Sequence, residues 1–279
     1  MRFGISTHLY HGRLLEHDHL VQVASFGFEA IELFATRSHF DYRDQAAVDR
    51  LAGWLADTGL ALHGIHAPIT EVFGGGTWAP RFSNALADNA LRLAAVRETE
   101  AALQIATRIP FDVMVVHLGT PSSKEQPGDN SRSAAVRSLE EICRLARPFG
   151  VRVAVEVIPN RLSDAGSLVR LLEQEIDDRH AGICLDFGHA HLMGDVADAI
   201  ETAAELLITT HVHDNHGRDD EHLVPYQGSI DWDLALVSMQ KLGYEGTYLM
   251  ELEGSRDPAG ILEDARRARQ RIELALARS

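Results

Sequence analysis

The chain has 279 residues, of which 45% are hydrophobic, and its 26 basic and 41 acidic side chains give a formal net charge of −15. This is enough apolar material for one large core at a length where α/β barrels form one domain, and the charge disfavours nucleic-acid binding by bulk electrostatics, which rests on Lys and Arg. No stretch approaches the roughly 18 apolar residues of a membrane span, and the opening MRFGIST reads as a strand rather than a signal peptide.

Strands are predicted over Arg2–Thr7, Ala30–Phe34, Leu60–His66, Asp112–His117, Val151–Val157, Ala181–Asp186, Leu206–His213 and Gly246–Glu251. Amphipathic stretches near 14–26, 44–58, 83–108, 131–149, 164–177, 196–204, 233–242 and 258–277 alternate with them. A strand–helix repeat of this kind predicts an α/β protein, a (β/α)8 TIM barrel in a single domain over 1–279. Neither a Gly-x-Gly-x-x-Gly fingerprint nor a Walker loop is present, so a nucleotide-binding open sheet has no support. Two connections are long, Ala67–Phe82 with Gly74-Gly75-Gly76 and Trp78, and Asp214–Ser229. Both follow strands, which places them on the catalytic face as candidate lids. Cys143 and Cys184 fall in a predicted helix and a predicted strand and read as small buried apolar residues. At most one disulfide is available, which fits a reducing, cytoplasmic setting.

Five short apolar runs each carry a candidate ligand near their end. They are VMVVHLGT with His117, VAVEVIPN with Glu156, GICLDFGHAH with Asp186, ITTHVHDN with His213 and TYLMELEG with Glu251. In a barrel these ends converge on one mouth. Carboxylates crowded there repel one another, and a divalent ion relieves the repulsion. Three carboxylates and an imidazole suit Mn²⁺, Mg²⁺, Co²⁺ or Zn²⁺, and the ligand types do not choose between them. Glu156, Asp186, His213 and Glu251 are therefore the expected metal set. His211 shares a face with His213; the residue nearer the mouth is read as the ligand and His211 as a buried polar neighbour. His66 and His117 also end strands and face the pocket. His189 lies three residues past Asp186, positioned for substrate or a second ion. Asp220 and His222 read either as a ligand pair or as a solvated loop. Glu32 ends the second strand and reads either as a substrate contact or as a structural group. His63 is expected to point away from His66, and His11, His17 and His19 to lie at the surface, with His8 touching the pocket.

These motifs resemble the xylose isomerase-like barrel superfamily, also called sugar phosphate isomerases/epimerases, over nearly the whole chain. The resemblance rests on VEVIPN, the Asp-x-x-His of LDFGH, the His-x-His of HVHDN, GSIDW and MELEG. By resemblance to ketose 3-epimerases, Glu156, Asp186, His213 and Glu251 would bind one divalent metal, and Glu156 and Glu251 would be catalytic, exchanging protons with a carbohydrate carbon from opposite faces. His66, His117, His189 and Arg218 would bind substrate. Those epimerases carry a further Glu six residues after the fifth-strand Glu, where this chain has Leu162. The endonuclease IV class is a second resemblance, a multi-zinc phosphodiester hydrolase whose pattern adds His66, His117, His189, Asp220 and His222 as ligands. Sugar or inosose dehydration on the same barrel is a third outcome, since proton abstraction beside a carbonyl starts isomerisation, epimerisation and dehydration alike. Barrel enzymes often form homo-oligomers, but no interface signal stands out in the sequence.

Overall fold

The computed structural model describes residues 1–74, 77–254 and 256–277. Eight parallel strands close into a barrel: β1 (Arg2–Ser6), β2 (Ala30–Phe34), β3 (Ala61–His66), β6 (Val113–Val116), β7 (Arg152–Glu156), β8 (Ala181–Asp186), β9 (Leu207–Val212) and β10 (Thr247–Met250). Around the ring the order is β1-β10-β9-β8-β7-β6-β3-β2. Two further strands, β4 (Thr70–Gly74) and β5 (Thr77–Arg81), form an antiparallel hairpin after β3. That hairpin occupies the long connection read as a candidate lid; Gly75 and Gly76 of its glycine run lie outside the described residues.

The helices are α1 (His17–Ser25), α2 (Gln45–Thr58), α3 (Asn89–Leu103), α4 (Arg132–Ala146), α5 (Ala165–Gln174), α6 (Phe187–Met193), α7 (Val196–Ala203), α8 (Trp232–Leu242) and α9 (Pro258–Leu276). Short acceptors start many of them, because a helix N-terminus leaves backbone N–H groups unpaired. Asp44, Asp88, Ser131, Asp164, Asp195 and Asp231 each accept from amides of the first turn. The cap at Asp88 explains why α3 begins later than residue 83, the start that apolar spacing alone suggests.

Apolar side chains divide between two layers. Val153, Val155, Ile183 and Leu185 belong to the large core between strands and helices, whereas Val113, Val115, Ala154, Cys184 and Ile208 form a small separate plug. Strand alternation places Glu156 and Asp186 on the same inward face as Ala154 and Cys184. The barrel interior is thus apolar at the plug and ionisable toward the C-terminal mouth.

Two register shifts interrupt the alternation. Between β2 and β3, Ile31 pairs with Leu62 but Glu32 with Gly64, so His63 is skipped. His63 consequently stays inside the barrel, with Nε2 3.0 Å from Thr209 Oγ1 and Nδ1 3.0 Å from the Arg2 guanidinium, rather than pointing away. Between β8 and β9, Ile183 pairs with Leu207 but Cys184 with Thr209, so Asp186 stands beside His211.

Candidate active site

Among the described residues, four groups of ionisable side chains have one ligand atom per residue within 4.8 Å of the others; one of them, Glu156, Cys184 and His211, overlaps the first of the other three clusters. The first is Glu156, Asp186, His211 and Glu251, supplied by β7, β8, β9 and the residue after β10. His211 Nδ1 is 3.4 Å from Glu156 Oε2, 3.3 Å from Glu251 Oε2 and 3.9 Å from Asp186 Oδ2. The grouping differs from the expected four-residue set: His211 stands among the three carboxylates, while His213 touches Asp186 from the third cluster. The physical cause is the skip at Ile208. Without it, continuing the Ile183–Leu207 pairing would bring Thr210 beside Asp186.

His211 is fixed from behind. Its Nε2–H donates to Glu32 Oε2 at 3.1 Å, and Ser6 Oγ–H donates to Glu32 Oε1 at 3.3 Å. A carboxylate behind an imidazole sets its tautomer and orientation, leaving the other nitrogen free to ligate. Glu32 therefore acts through His211.

The second cluster is His66, His117 and Glu156. His66 Nδ1–H donates to Ala67 O at 2.9 Å, which leaves Nε2 facing His117 Nε2 at 3.2 Å and Glu156 Oε2 at 3.3 Å. His117 Nε2 is 3.0 Å from the same Glu156 oxygen. The third cluster is His189, His213, Asp220 and His222. The Nδ1–H groups of His189 and His222 donate to Val157 O at 3.0 Å and Glu251 O at 2.9 Å. Their Nε2 atoms then meet Asp220 Oδ2 at 3.1 and 3.2 Å. His213 Nε2 lies 3.0 Å from Asp186 Oδ1 and its ring stacks on His222 at 4.0 Å. It thus sits between the first and third clusters. Gly188 is required beneath it, since a Cβ there would collide with the His213 ring.

A divalent ion fits this donor set. Glu156 Oε1, His211 Nδ1 and His213 Nδ1 are buried without a hydrogen-bond partner, and orphaned buried polar atoms are costly unless something occupies them. Glu156 Oε1 is 3.2 Å from His189 Nδ1, whose N–H is committed to Val157 O. Ligands about 2.1 Å from a tetrahedral ion lie about 3.4 Å apart, close to the spacings around His211. The electrostatics agree. Burial alone would raise Glu156 and Glu251, but the imidazoles around them hold both well below the ordinary carboxylate range. Burial alone would lower His222, yet Asp220 and Glu251 push it up to about 10.

Of the other expected contacts, Arg218 is exposed and lines a cavity with Ser122, Arg161 and Met193 rather than standing in one of these clusters. Leu162 is buried in the apolar core, so no carboxylate replaces the further Glu of the ketose 3-epimerases there. His11, expected at the surface, is buried and stacks on His8 at 4.4 Å, and His8 in turn lies 4.9 Å from His222. The loop organiser Asp214 escaped sequence reasoning. Its only signal was a carboxylate directly after the His-x-His strand.

A family model described as "Xylose isomerase-like TIM barrel" matches residues 20–273. The uncharacterized protein MJ1311 of Methanocaldococcus jannaschii is 25% identical over 275 residues, 92% of this chain and 85% of that protein. An inosose isomerase of Bacillus licheniformis is 26% identical over 44% of this chain and 48% of its own length. A D-psicose 3-epimerase of Enterocloster bolteae is 29% identical over 46% of this chain and 42% of its own length. The chain therefore spans less than half the length of these two named enzymes. Among solved structures, a D-tagatose 3-epimerase-like protein superposes with a TM-score of 0.80 at 24% identity, covering 99% of this chain and 100% of that one. The IOLI protein with a bound zinc atom gives 0.75 at 16%, covering 99% and 98%. The closed eight-stranded barrel and a family match extending from α1 into α9 establish that the chain belongs to the xylose isomerase-like TIM barrel family.

Proposed function

We propose that the protein is a divalent-metal-dependent carbohydrate isomerase or epimerase that moves a proton at a carbon beside a carbonyl. The observation that carries this reading is the pair of buried carboxylates, Glu156 and Glu251, facing one imidazole from strands three steps apart around the ring. An ion held by Glu156, Asp186, His211 and Glu251 supplies acidification of the C–H next to a carbonyl that it binds. The chain's own groups do the rest. Glu251 and Glu156 stay ionised, as a base requires. Glu156 presents Oε1, the oxygen without a hydrogen bond, for a proton. His189 and His66 stand beside Glu156 to bind substrate oxygens. The similarity to an inosose isomerase and a D-psicose 3-epimerase supports this chemistry.

The test is incubation of the metal-loaded protein in D₂O with a panel of ketoses, keto-sugars and inososes. Deuterium at carbon is expected. Failure to exchange with every member, together with cleavage of a phosphodiester, would replace this reading. One specific observation favours that second reading of a phosphodiester hydrolase: the first two clusters share Glu156, and with the third they offer positions for three ions. Elemental analysis discriminates, since one ion per chain supports the isomerase or epimerase and three support hydrolysis.

A further inference from the structure

We propose that the mouth carries a subsite for an anionic group of the substrate, built on Arg161 and Arg218. A cavity of about 470 Å³ is lined by Ser122, Ser123, Arg161, Asp164, Met193 and Arg218 among others. Each segment that lines it lies within five residues of a cluster residue in the sequence. Ser122 and Ser123 follow His117, Arg161 follows Glu156, Met193 follows His189, and Arg218 precedes Asp220. A substrate whose reacting carbon sits at the clusters thus has this cavity within reach of its other end.

The chemistry of the lining selects an anion. In a chain of net charge −15, two arginines line one cavity, and among the described residues neither has an ion pair or a hydrogen bond. Among the described residues of the lining the one carboxylate, Asp164, is already engaged: Oδ1 accepts from Ser167 N at 2.9 Å and Oδ2 from Ser167 Oγ at 2.7 Å. Guanidinium forks and serine hydroxyls are donors matched to phosphate or carboxylate oxygens. The nearby clusters concentrate the carboxylates Glu156, Asp186, Asp220 and Glu251, which oppose the approach of an anion. Two uncommitted arginines at the rim offset that repulsion and orient the charged end outward. Arg161 also directly precedes Leu162, the position where the chain departs from the ketose 3-epimerase pattern. The inference therefore rests on the carbohydrate reading and narrows it to an anionic sugar, either a phosphate ester or a sugar acid.

The test is calorimetric binding of inorganic phosphate and of acetate to the metal-loaded wild type, to Arg161→Gln, to Arg218→Gln and to the double variant. Exposed Arg137→Gln on α4 serves as a control, and melting curves verify that each variant folds. Affinity for at least one anion should fall about tenfold with either single substitution, the scale of one lost charged hydrogen bond, and further in the double variant. Arginine-dependent binding of phosphate identifies a phosphate ester, and arginine-dependent binding of acetate identifies a sugar acid. No binding of either anion, or equal binding by the wild type and the double variant, overturns the subsite. Deuterium exchange on the sugar panel with no arginine-dependent anion binding overturns the subsite alone. Arginine-dependent binding without exchange overturns the carbohydrate reading and leaves the anion pocket standing.

Discussion

At the scale of single residues, Glu251 offers the sharpest test of the chemistry. It is only 3% exposed, and its Oε2 faces His211 Nδ1. Glu251→Gln keeps the volume and one carbonyl oxygen but loses the base. Turnover should fall roughly 10²–10⁴-fold, the range for a general acid–base group, with a parallel loss of solvent deuterium incorporation. Near wild-type exchange in this variant would remove Glu251 from the mechanism. A second prediction concerns His39, which is fully buried, with Nδ1 2.7 Å from Arg13 O and Nε2 3.1 Å from Thr7 Oγ1. Burial lowers its pKa from 6.5 to about 4. In that window the unfolded chain takes up a proton that the folded chain refuses. Stability is therefore highest above the unfolded value, falls as pH drops through the window, and falls no further from this group below it. At about 1.4 kcal/mol per unit, the loss is roughly 3 kcal/mol. Urea unfolding near neutrality and near pH 4 should show a drop smaller by about that amount in His39→Gln than in the wild type. Equal drops would contradict the assignment. Glu156, Asp186 and Glu251 were legible in the sequence because each ends an apolar run, a pattern that survives any register. The choice between His211 and His213 was not legible, because it depends on a one-residue skip between β8 and β9 that leaves no mark in the alternation of β9 alone.

At the scale of elements, the connection from β9 to α8 is organised by one carboxylate. Asp214 is fully buried. Its Oδ1 accepts from Asn215 N at 2.9 Å and Ile230 N at 3.2 Å, and its Oδ2 from Tyr226 N at 2.9 Å and Trp232 Nε1 at 2.8 Å. Its backbone pairs in both directions with Leu223, one residue after His222. The loop presenting Asp220 and His222 is thus pinned at its start, its middle and its junction with α8. Asp214→Ala strands four donors, three of them in buried hydrogen bonds, and should cost about 3 kcal/mol. Hydrogen exchange should rise across residues 214–231, and affinity for an ion at the third cluster should fall while the first cluster, built on strands, retains its own. Unchanged exchange in this segment would sink the argument. The sequence marked this connection as long and on the catalytic face, but not as ordered, because its order comes from a single acceptor gathering donors up to 18 residues away. The hairpin β4–β5 was hidden for a related reason: its strands are five residues each and flank a glycine run, too short for alternation to stand out against loop composition. The barrel strands, each followed by a helix with a polar cap, carried their own local signals.

At the scale of the whole molecule, the clusters tie distant parts of the chain together. Glu32 and His66 come from the first third of the sequence, Glu156 and Asp186 from the middle, and His211 and Glu251 from the last third, yet all meet at one end of the barrel. Without a cation, the fold must hold the Glu156, Asp186 and Glu251 carboxylates side by side, with Glu156 Oε1 and His211 Nδ1 lacking partners. That arrangement is costly in a low-dielectric interior. An ion that binds only the folded barrel contributes stability by mass action, about 4 kcal/mol at a free concentration a thousand times its dissociation constant. At this chain length, each kcal/mol moves the melting midpoint by about 2–4 °C. Saturation with Mn²⁺, Co²⁺ or Zn²⁺ should therefore raise the midpoint by roughly 10 °C over chelated protein for whichever ion is native, with smaller shifts for the others. His211→Ala removes the only imidazole of the first cluster and the group that Glu32 orients. In that variant most of the metal-dependent shift should vanish, and the chelated variant should melt below the chelated wild type, since the imidazole that pairs with Glu32 and helps keep Glu156 and Glu251 ionised has been deleted. A chelated wild type that melts with the metal-loaded protein would show that the crowded carboxylates are stable unaided, and the ion assignment would fall with it.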